Sequence, residues 1–423
     1  MKRNRVSHIP FIVCTILAII TLLPSSSRAQ ATGTVIYSFG SGSTDGIGPH
    51  AGLVSDAAHN FYGTTDFGGA AGKGTVFQLT PTATGWTETV LYSFTGGADG
   101  ANPNFASVIF DKAGNLYGTT YYGGTPSAAC TIGCGVVFEL SPTSSGWQET
   151  VLHAFNNNDG AAASGGLIFD PAGNLYGATG LGGPNTTGVI FKLTPSSAGT
   201  WTESVLYDFP VTPKSSVNPW SVAMDSTGNL YGTAVIGGAY GFGSVFKLVP
   251  NSTGGWTKST IHSFIGGKES GFSRTRLTFD SAGNIYGMTS GQPGGAGSGA
   301  VFKLVPPSAG GWKSVVLHTF TGGKDGGNPG YDQLIFDSAG NLYGTTLRGG
   351  NLNTCSGYGC GVVFKLTPTA NGEWRETVLH TFFGNRKTGG NPNGVIMDTT
   401  GILRGTADVG GANGAGVVFQ ITP

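Results

Sequence analysis

The chain has 423 residues, 75 of them glycine, with 22 basic and 22 acidic side chains. That much glycine with only 10% charge is far from an average soluble domain, yet the glycines keep no three-residue period, which excludes collagen. An apolar fraction of 39% at zero net charge gives enough surface to bury and argues against disorder.

Residues 1–31 read as a secretory leader outside the fold. Lys2, Arg3 and Arg5 precede an apolar run from Ile9 to Leu23, then Pro24, a serine triplet and the A-x-A site Ala29-Gln30-Ala31. Cleavage is expected after Ala31. The run is too short to span a bilayer, so no transmembrane anchor is expected in the mature chain, and Cys14 lacks the small residues of a lipoprotein site. Losing Lys2, Arg3, Arg5 and Arg28 leaves 18 basic groups against 22 acidic, a net −4. Without a basic stripe, no nucleic-acid partner is expected.

Self-similarity organises residues 32–423 into one domain. The block "AGNLYGTT" (113–120) returns as "AGNLYGAT" (172–179), "TGNLYGTA" (227–234), "AGNIYGMT" (282–289) and "AGNLYGTT" (339–346). Weaker copies stand at 58–65 and 400–407, where Arg404 replaces the tyrosine. Each block leads into a "VVFKL"-type run, a glycine-rich turn, a "WTETVLYSF"-type run and a "GLIFD"-type run. The last ends in Asp56, Asp111, Asp170, Asp225, Asp280, Asp337 or Asp398. Four short β-rich runs between Gly, Asn, Asp and Pro turns predict four antiparallel strands per unit. The Asp-x-x-Gly-Asn stretch is itself a turn, because the carboxylate accepts backbone N–H groups and Gly and Asn tolerate positive φ. Seven units describe an all-β, seven-bladed β-propeller of four-stranded blades. A β-solenoid is the rival, but its coils are shorter and its strands parallel.

The first "VIYSF" run, at 35–39, lacks the other three strands of its unit, and the last unit lacks this run after "VVFQITP" (417–423). The N-terminal strand is therefore expected to join the last blade and close the ring.

The motifs "AGNLYGTT", "GVVFKLTP" and "GWTETVLYSFTGG" together resemble the tandem repeats of the bacterial choice-of-anchor tandem repeat GloVer-containing family, over all of residues 32–423. The resemblance implies an exported repeat protein, extracellular or periplasmic, often with a C-terminal anchoring signal. This chain stops at Pro423 within a repeat and departs from that pattern. The Gly-Gly, Tyr and Trp pattern also resembles kelch repeats, which supports the fold without transferring a function.

Most residues able to do chemistry belong to the repeat. His153, His262, His318 and His380 occupy the position of Tyr37, Tyr92 and Tyr207, a packing exchange, and His59 replaces a turn glycine. His50 alone lacks such an explanation. Asp45, Asp99, Asp159 and Asp325 sit in Asp-Gly turns; calcium at such turns would need six to eight oxygens, and each turn offers one acidic side chain. Glu88, Glu149, Glu203 and Glu376 recur on the outermost strand and are expected to be solvated. No metal and no cofactor is expected. Cys130 with Cys134, and Cys355 with Cys360, fall in one repeat loop and are expected to form two local disulfides, as suits an exported chain.

The innermost strands should converge on a narrow channel. Four residues before each turn aspartate stand Gly52, Ser107, Gly166, Ser221, Arg276, Gln333 and Gly394, and one residue earlier Ala51, Ala106, Gly165, Trp220, Thr275, Asp332 and Asn393, so units four to six break a small-residue rule over these two positions. Trp220, Arg274, Arg276, Tyr331 and Asp332 belong to this break. They are either a ligand patch across three adjacent blades at one mouth or an Arg–Asp plug filling the channel. Two functions follow. One is an exported, non-enzymatic, monomeric module or scaffold binding a glycan, peptide or surface partner. The other is an extracellular polysaccharide-active lyase or hydrolase, for which Asp332 and His50 are the candidate groups outside the repeat, in distant copies.

Overall fold

The computed structural model describes residues 31–105, 107–212, 217–291, 298–308 and 310–422. The reading of residues 1–31 as a secretory leader thus lies, but for Ala31, outside the described residues. Seven antiparallel sheets follow one another, as a seven-bladed propeller requires. The second to fourth strands of the first blade are Phe61–Thr65, Thr75–Thr82 and Gly85–Ser93. Among the described residues there is no α-helix, and no helix long and apolar enough to cross a membrane. The innermost strand is continuous in blades three, four and seven (Ala161–Phe169, Val217–Met224, Gly390–Met397) and broken in the others.

Each blade packs its apolar residues against those of a neighbouring blade, so every hydrophobic cluster spans a seam. The phenylalanine ending one blade's outermost strand meets the phenylalanine of the next blade's third strand, from Phe94 and Phe138 to Phe382 and Phe419, with ring centroids 4.9–5.2 Å apart. In the second strand glycine is required beneath that ring: a Cβ on Gly118 would stand 2.5 Å from Phe138 Cζ.

The N-terminal strand closes the ring. Thr32–Ser38 pairs antiparallel with Val417–Thr422, from Thr32 opposite Thr422 to Ser38 opposite Val417. Phe39 then packs on Phe77 of the first blade at 4.9 Å. Closure thus begins three residues before the "VIYSF" run that suggested it.

A second device ties the seams. Gly48, Asn102, Ala162, Asn218, Phe272, Asn328 and Asn391 open the innermost strands with positive φ. The N–H of each donates to a loop carbonyl of the preceding blade, as from Asn102 to Lys73 (2.8 Å) and from Asn391 to Cys360 (2.8 Å). Both expected disulfides, Cys130–Cys134 and Cys355–Cys360, are present. Each bridged loop supplies one of these carbonyls: Cys134 receives Ala162 N–H and Cys360 receives Asn391 N–H.

Candidate functional site at the channel mouth

The two ends of the channel differ in kind. At one end every turn aspartate is satisfied within its own turn. Asp225 accepts from the Thr227 and Asn229 N–H groups through Oδ1, and from the Asn229 amide and Tyr231 hydroxyl through Oδ2. Burial raises its pKa, but these donors outweigh it and hold the carboxyl at about 2. Arg404, standing where the tyrosine is lost, donates to Asp398 at 2.6 Å instead. The open grooves on this face, of about 590 and 460 Å³, are lined by repeat residues such as Asp337 and Tyr343.

At the other end the stretch from the positive-φ residue to the turn aspartate varies in length. It runs seven positions from Asn218 to Asp225 and from Asn391 to Asp398, but nine from Asn102 to Asp111 and from Asn328 to Asp337. In the two longest copies the third residue on is Phe105 and Tyr331. Their rings meet at 4.8 Å although their blades are not neighbours. This aromatic bar divides the mouth into two lobes.

One lobe, of about 260 Å³, is lined by Tyr121, Trp220, Arg274 and the bar. Trp220 is 7% exposed, packed on Phe105 (5.5 Å) and Tyr331 (5.8 Å), and Arg274 lies over its ring at 5.8 Å. The other lobe, of about 250 Å³, is lined by His50, Leu347, Arg348, Asp408 and the bar. Arg348 is exposed and stacks on Tyr358 at 4.6 Å. Neither guanidinium has a carboxylate within ion-pair distance among the described residues.

His50 sits between two carboxylates, with Nε2 3.0 Å from Asp408 Oδ2 and Nδ1 3.5 Å from Asp66 Oδ2. Burial alone would lower its pKa. The hydrogen bond to Asp408 and the Asp66 charge outweigh that and push the imidazole up to about 9. His50 belongs to blade one and Asp408 to blade seven, so this pair lies on the seam that closes the ring.

The five residues singled out in the sequence therefore fall into two layers. Trp220, Arg274 and Tyr331 come together at the mouth. Arg276 and Asp332 lie further along the channel. Arg276 faces Gly166, and the Asp332 carboxylate occupies the space where Cβ atoms on Gly52 and Gly394 would stand. These two make no ion pair, and loss of water raises the Asp332 carboxyl despite the attraction of Arg276. Sequence reasoning missed Phe105, Tyr121, Arg348 and the two carboxylate partners of His50. The signal for Phe105 was the extra length after Asn102, visible only when counting forward from the Asn-Pro pair and hidden when counting back from the aspartate. Distance along the chain also misled: at the axis of a ring His50 lies 5.9 Å from Phe105, and blades far apart in sequence share one pocket.

The outermost strands need a correction as well. Glu88, Glu149, Glu203 and Glu376 are not solvated. Each is partly buried, with an enclosed Oε1 that lacks a hydrogen-bond partner. Neighbouring outermost strands touch at the rim, and the glutamate is caught between them. Burial is the main cause that raises these four carboxyls to about 7. The His/Tyr exchange is a packing choice, as expected: each ring stands edge-on to the phenylalanine two residues later, as His153 does to Phe155 at 4.9 Å.

No curated protein matches the chain in sequence. Solved structures match its fold. An ulvan lyase of polysaccharide lyase family PL25 is 11% identical with a TM-score of 0.53, over 91% of this chain and 94% of that one. The extracellular domain of BT4673 from B. thetaiotaomicron is 9% identical with a TM-score of 0.54, over 92% of this chain and 39% of that one. An ancestral GH74 enzyme is 12% identical with a TM-score of 0.51, over 89% and 51%. The chain thus spans about two fifths to half the length of the last two. At such identities the likeness concerns the fold alone. The repeat is more specific: residues 21–215, 127–356 and 218–423 match the Gloeobacter/Verrucomicrobia repeat, and the chain belongs to that family.

Proposed function

We propose that the protein is an exported, monomeric, non-enzymatic binding module that holds an anionic oligosaccharide across the two lobes of the channel mouth. The observation that carries this reading is the pair of unmatched guanidinium groups, Arg274 in one lobe and Arg348 in the other, each laid on an aromatic ring. Stacking fixes the plane of a guanidinium, and a missing carboxylate leaves its parallel N–H donors free for a ligand carboxylate or sulfate. Each lobe falls short of the roughly 300–1,000 Å³ of a small-molecule site, and the two together reach it. Trp220, being buried, serves as the platform for Arg274, while the partly exposed Phe105 and Tyr331 offer apolar surface to a sugar ring. Arg276 and Asp332 form the floor.

His50 favours binding over proton transfer. A general base works best with a pKa near the operating pH, whereas the clamp of Asp66 and Asp408 keeps the imidazole charged at neutral pH. Two disulfides suit an oxidising compartment. The ulvan lyase was solved with a glucuronate–sulfated rhamnose ligand, which makes that sugar class a first probe. Calorimetry with glucuronate-containing and neutral oligosaccharides tests the reading. Tight binding of the acidic series, lost in Arg274→Ala and Arg348→Ala, supports it. Equal binding of neutral sugars overturns it, and cleavage of any probe would establish the lyase or hydrolase alternative.

A further inference from the structure

The rim between blades two and three brings together His153 and Asp159 of one blade's end with Glu203 of the next blade's outermost strand. His153 Nε2 is 3.1 Å from Asp159 Oδ2. One ligand atom from each of the three residues lies within 4.8 Å of the others, and no other such group exists among the described residues. Asp159 is held in place by the Asn156 N–H and side-chain amide. Glu203 Oε1 is enclosed without a hydrogen-bond partner. One imidazolium can balance one carboxylate, so the second needs a proton or a cation.

The other seams are built-in controls. At the fourth seam His262 meets Glu269 at 2.7 Å, and Ser314 stands in place of the strand glutamate, donating to Glu269 at 2.6 Å. There one imidazole faces one carboxylate. Tyr37 and Tyr92 replace the histidine at two further seams, their hydroxyls donating to Asp45 and Asp99. His318, Asp325 and Glu376 repeat the three residue types, with His318 Nε2 3.4 Å from Asp325 Oδ2, but do not close to the same spacing.

We propose that His153, Asp159 and Glu203 form a site for a divalent transition metal that staples blade two to blade three. An imidazole nitrogen with two carboxylate oxygens is a donor set for Zn²⁺ and its neighbours and a poor one for Mg²⁺. Bonds of about 2.0–2.2 Å in a tetrahedron place ligand atoms about 3.4 Å apart, which side-chain rotation supplies from the spacing observed. His153 and Asp159 keep 20% and 15% of their side-chain surface exposed, so the remaining coordination position opens to water. A metal bound by both blades favours the folded state by mass action.

The test strips the purified protein with a chelator and titrates it with Zn²⁺ by calorimetry and with Co²⁺ by visible absorption, using Mg²⁺ as the control. The expected result is one equivalent of Zn²⁺, a cobalt band of low coordination number, and a melting temperature that rises with Zn²⁺ but not with Mg²⁺. His153→Tyr installs a residue that three other seams already use, at Tyr37, Tyr92 and Tyr207, and Glu203→Gln keeps the shape of the side chain. Both should abolish the zinc heat and the cobalt band while the metal-free protein stays folded. His318→Tyr should keep the full equivalent. Absence of zinc binding in the unaltered protein, with Glu203→Gln raising its metal-free melting temperature, would identify Glu203 as a protonated acid only and overturn the site. Retained binding in both His153→Tyr and Glu203→Gln, or its loss in His318→Tyr, would also overturn it.

Discussion

At the turn face, seven aspartates hold seven loops of nearly one design; at the mouth, blades one, two, four, five and six present His50, Phe105, Trp220, Arg274 and Tyr331. Both faces belong to the same strands, so the fold does not dictate the difference. At the turn face each carboxylate accepts up to five hydrogen bonds from its own loop, as Asp225 does, and has little capacity left for a ligand. At the mouth the guanidinium groups lack partners, and stacking holds them in place. At the turn face repetition coincides with satisfied carboxylates, whereas the guanidinium groups without a carboxylate partner stand where the repeat breaks at the mouth.

This contrast can be broken from either side. The largest effect should come from opening the ring, on which both faces depend. Deleting residues 32–40 exposes an unpaired strand edge and removes Phe39 from its seam, and the truncated chain should melt far below the intact one. Phe39→Ala alone should cost about 3–5 kcal/mol in chemical denaturation. A truncation that melts like the parent would refute closure as a source of stability.

Next come the turns. Asp225→Ala should cost about 2 kcal/mol, since hydrogen bonds to a charged group are worth about 1.5–3 kcal/mol, while leaving oligosaccharide affinity unchanged. The Asp225 pKa is depressed to about 2 in the fold, so its contribution is present above the ordinary value and is lost as pH falls through about 2. A binding defect in this variant would show that the faces are not independent.

At the mouth, His50 titrates in the opposite sense. Its pKa is raised from 6.5 to about 9, so its contribution is complete below 6.5 and is lost as pH rises through about 9. Denaturation measured from pH 6 to 10 should show that decline in the parent and a flatter profile in His50→Gln. Equal slopes would mean the clamp adds nothing. The rim glutamates add a separate trend. Raised from 4.5 to about 7, they favour the fold while protonated, and stability should fall as pH climbs between those values. Quadruple Glu→Gln substitution should remove that slope; its persistence would place the titration elsewhere.

The smallest effect on stability should be that of Arg274→Ala, which breaks no ion pair. Its melting temperature should stay within about 2 °C of the parent, with affinity for a glucuronate oligosaccharide reduced about tenfold or more. A large fall in melting temperature instead would make Arg274 a packing residue.

The propeller was legible because its signals are local and sevenfold. The spacing from Asp111 to Tyr117 encodes a turn and the hydrogen bond across it in one short motif. The unmatched strands at 35–39 and 417–422 made closure a matter of counting. The mouth was only half legible. Trp220, Arg274 and Tyr331 stood out as departures from the repeat, but Phe105 pairs with Tyr331 across non-adjacent blades, and no spacing along the chain reports a meeting at the axis. Glu203 was misread for a related reason: strand alternation shows which side of a sheet a residue is on, but not that a neighbouring sheet covers that side.

The pairing of Thr32 with Thr422 also sets the order in which the molecule can be completed. Each other blade draws its four strands from a single stretch of chain and can form as soon as that stretch is available. The seventh must wait, because its outermost strand is made first and the strand it pairs with is made last. The entropy of closing a loop grows with its length, and contacts distant in sequence form slowly. Closure of the ring by Thr32–Ser38 therefore cannot precede the appearance of its partner Val417–Thr422. Until then Thr32–Ser38 is an unoccupied edge, open to a chaperone or to a second unfinished chain.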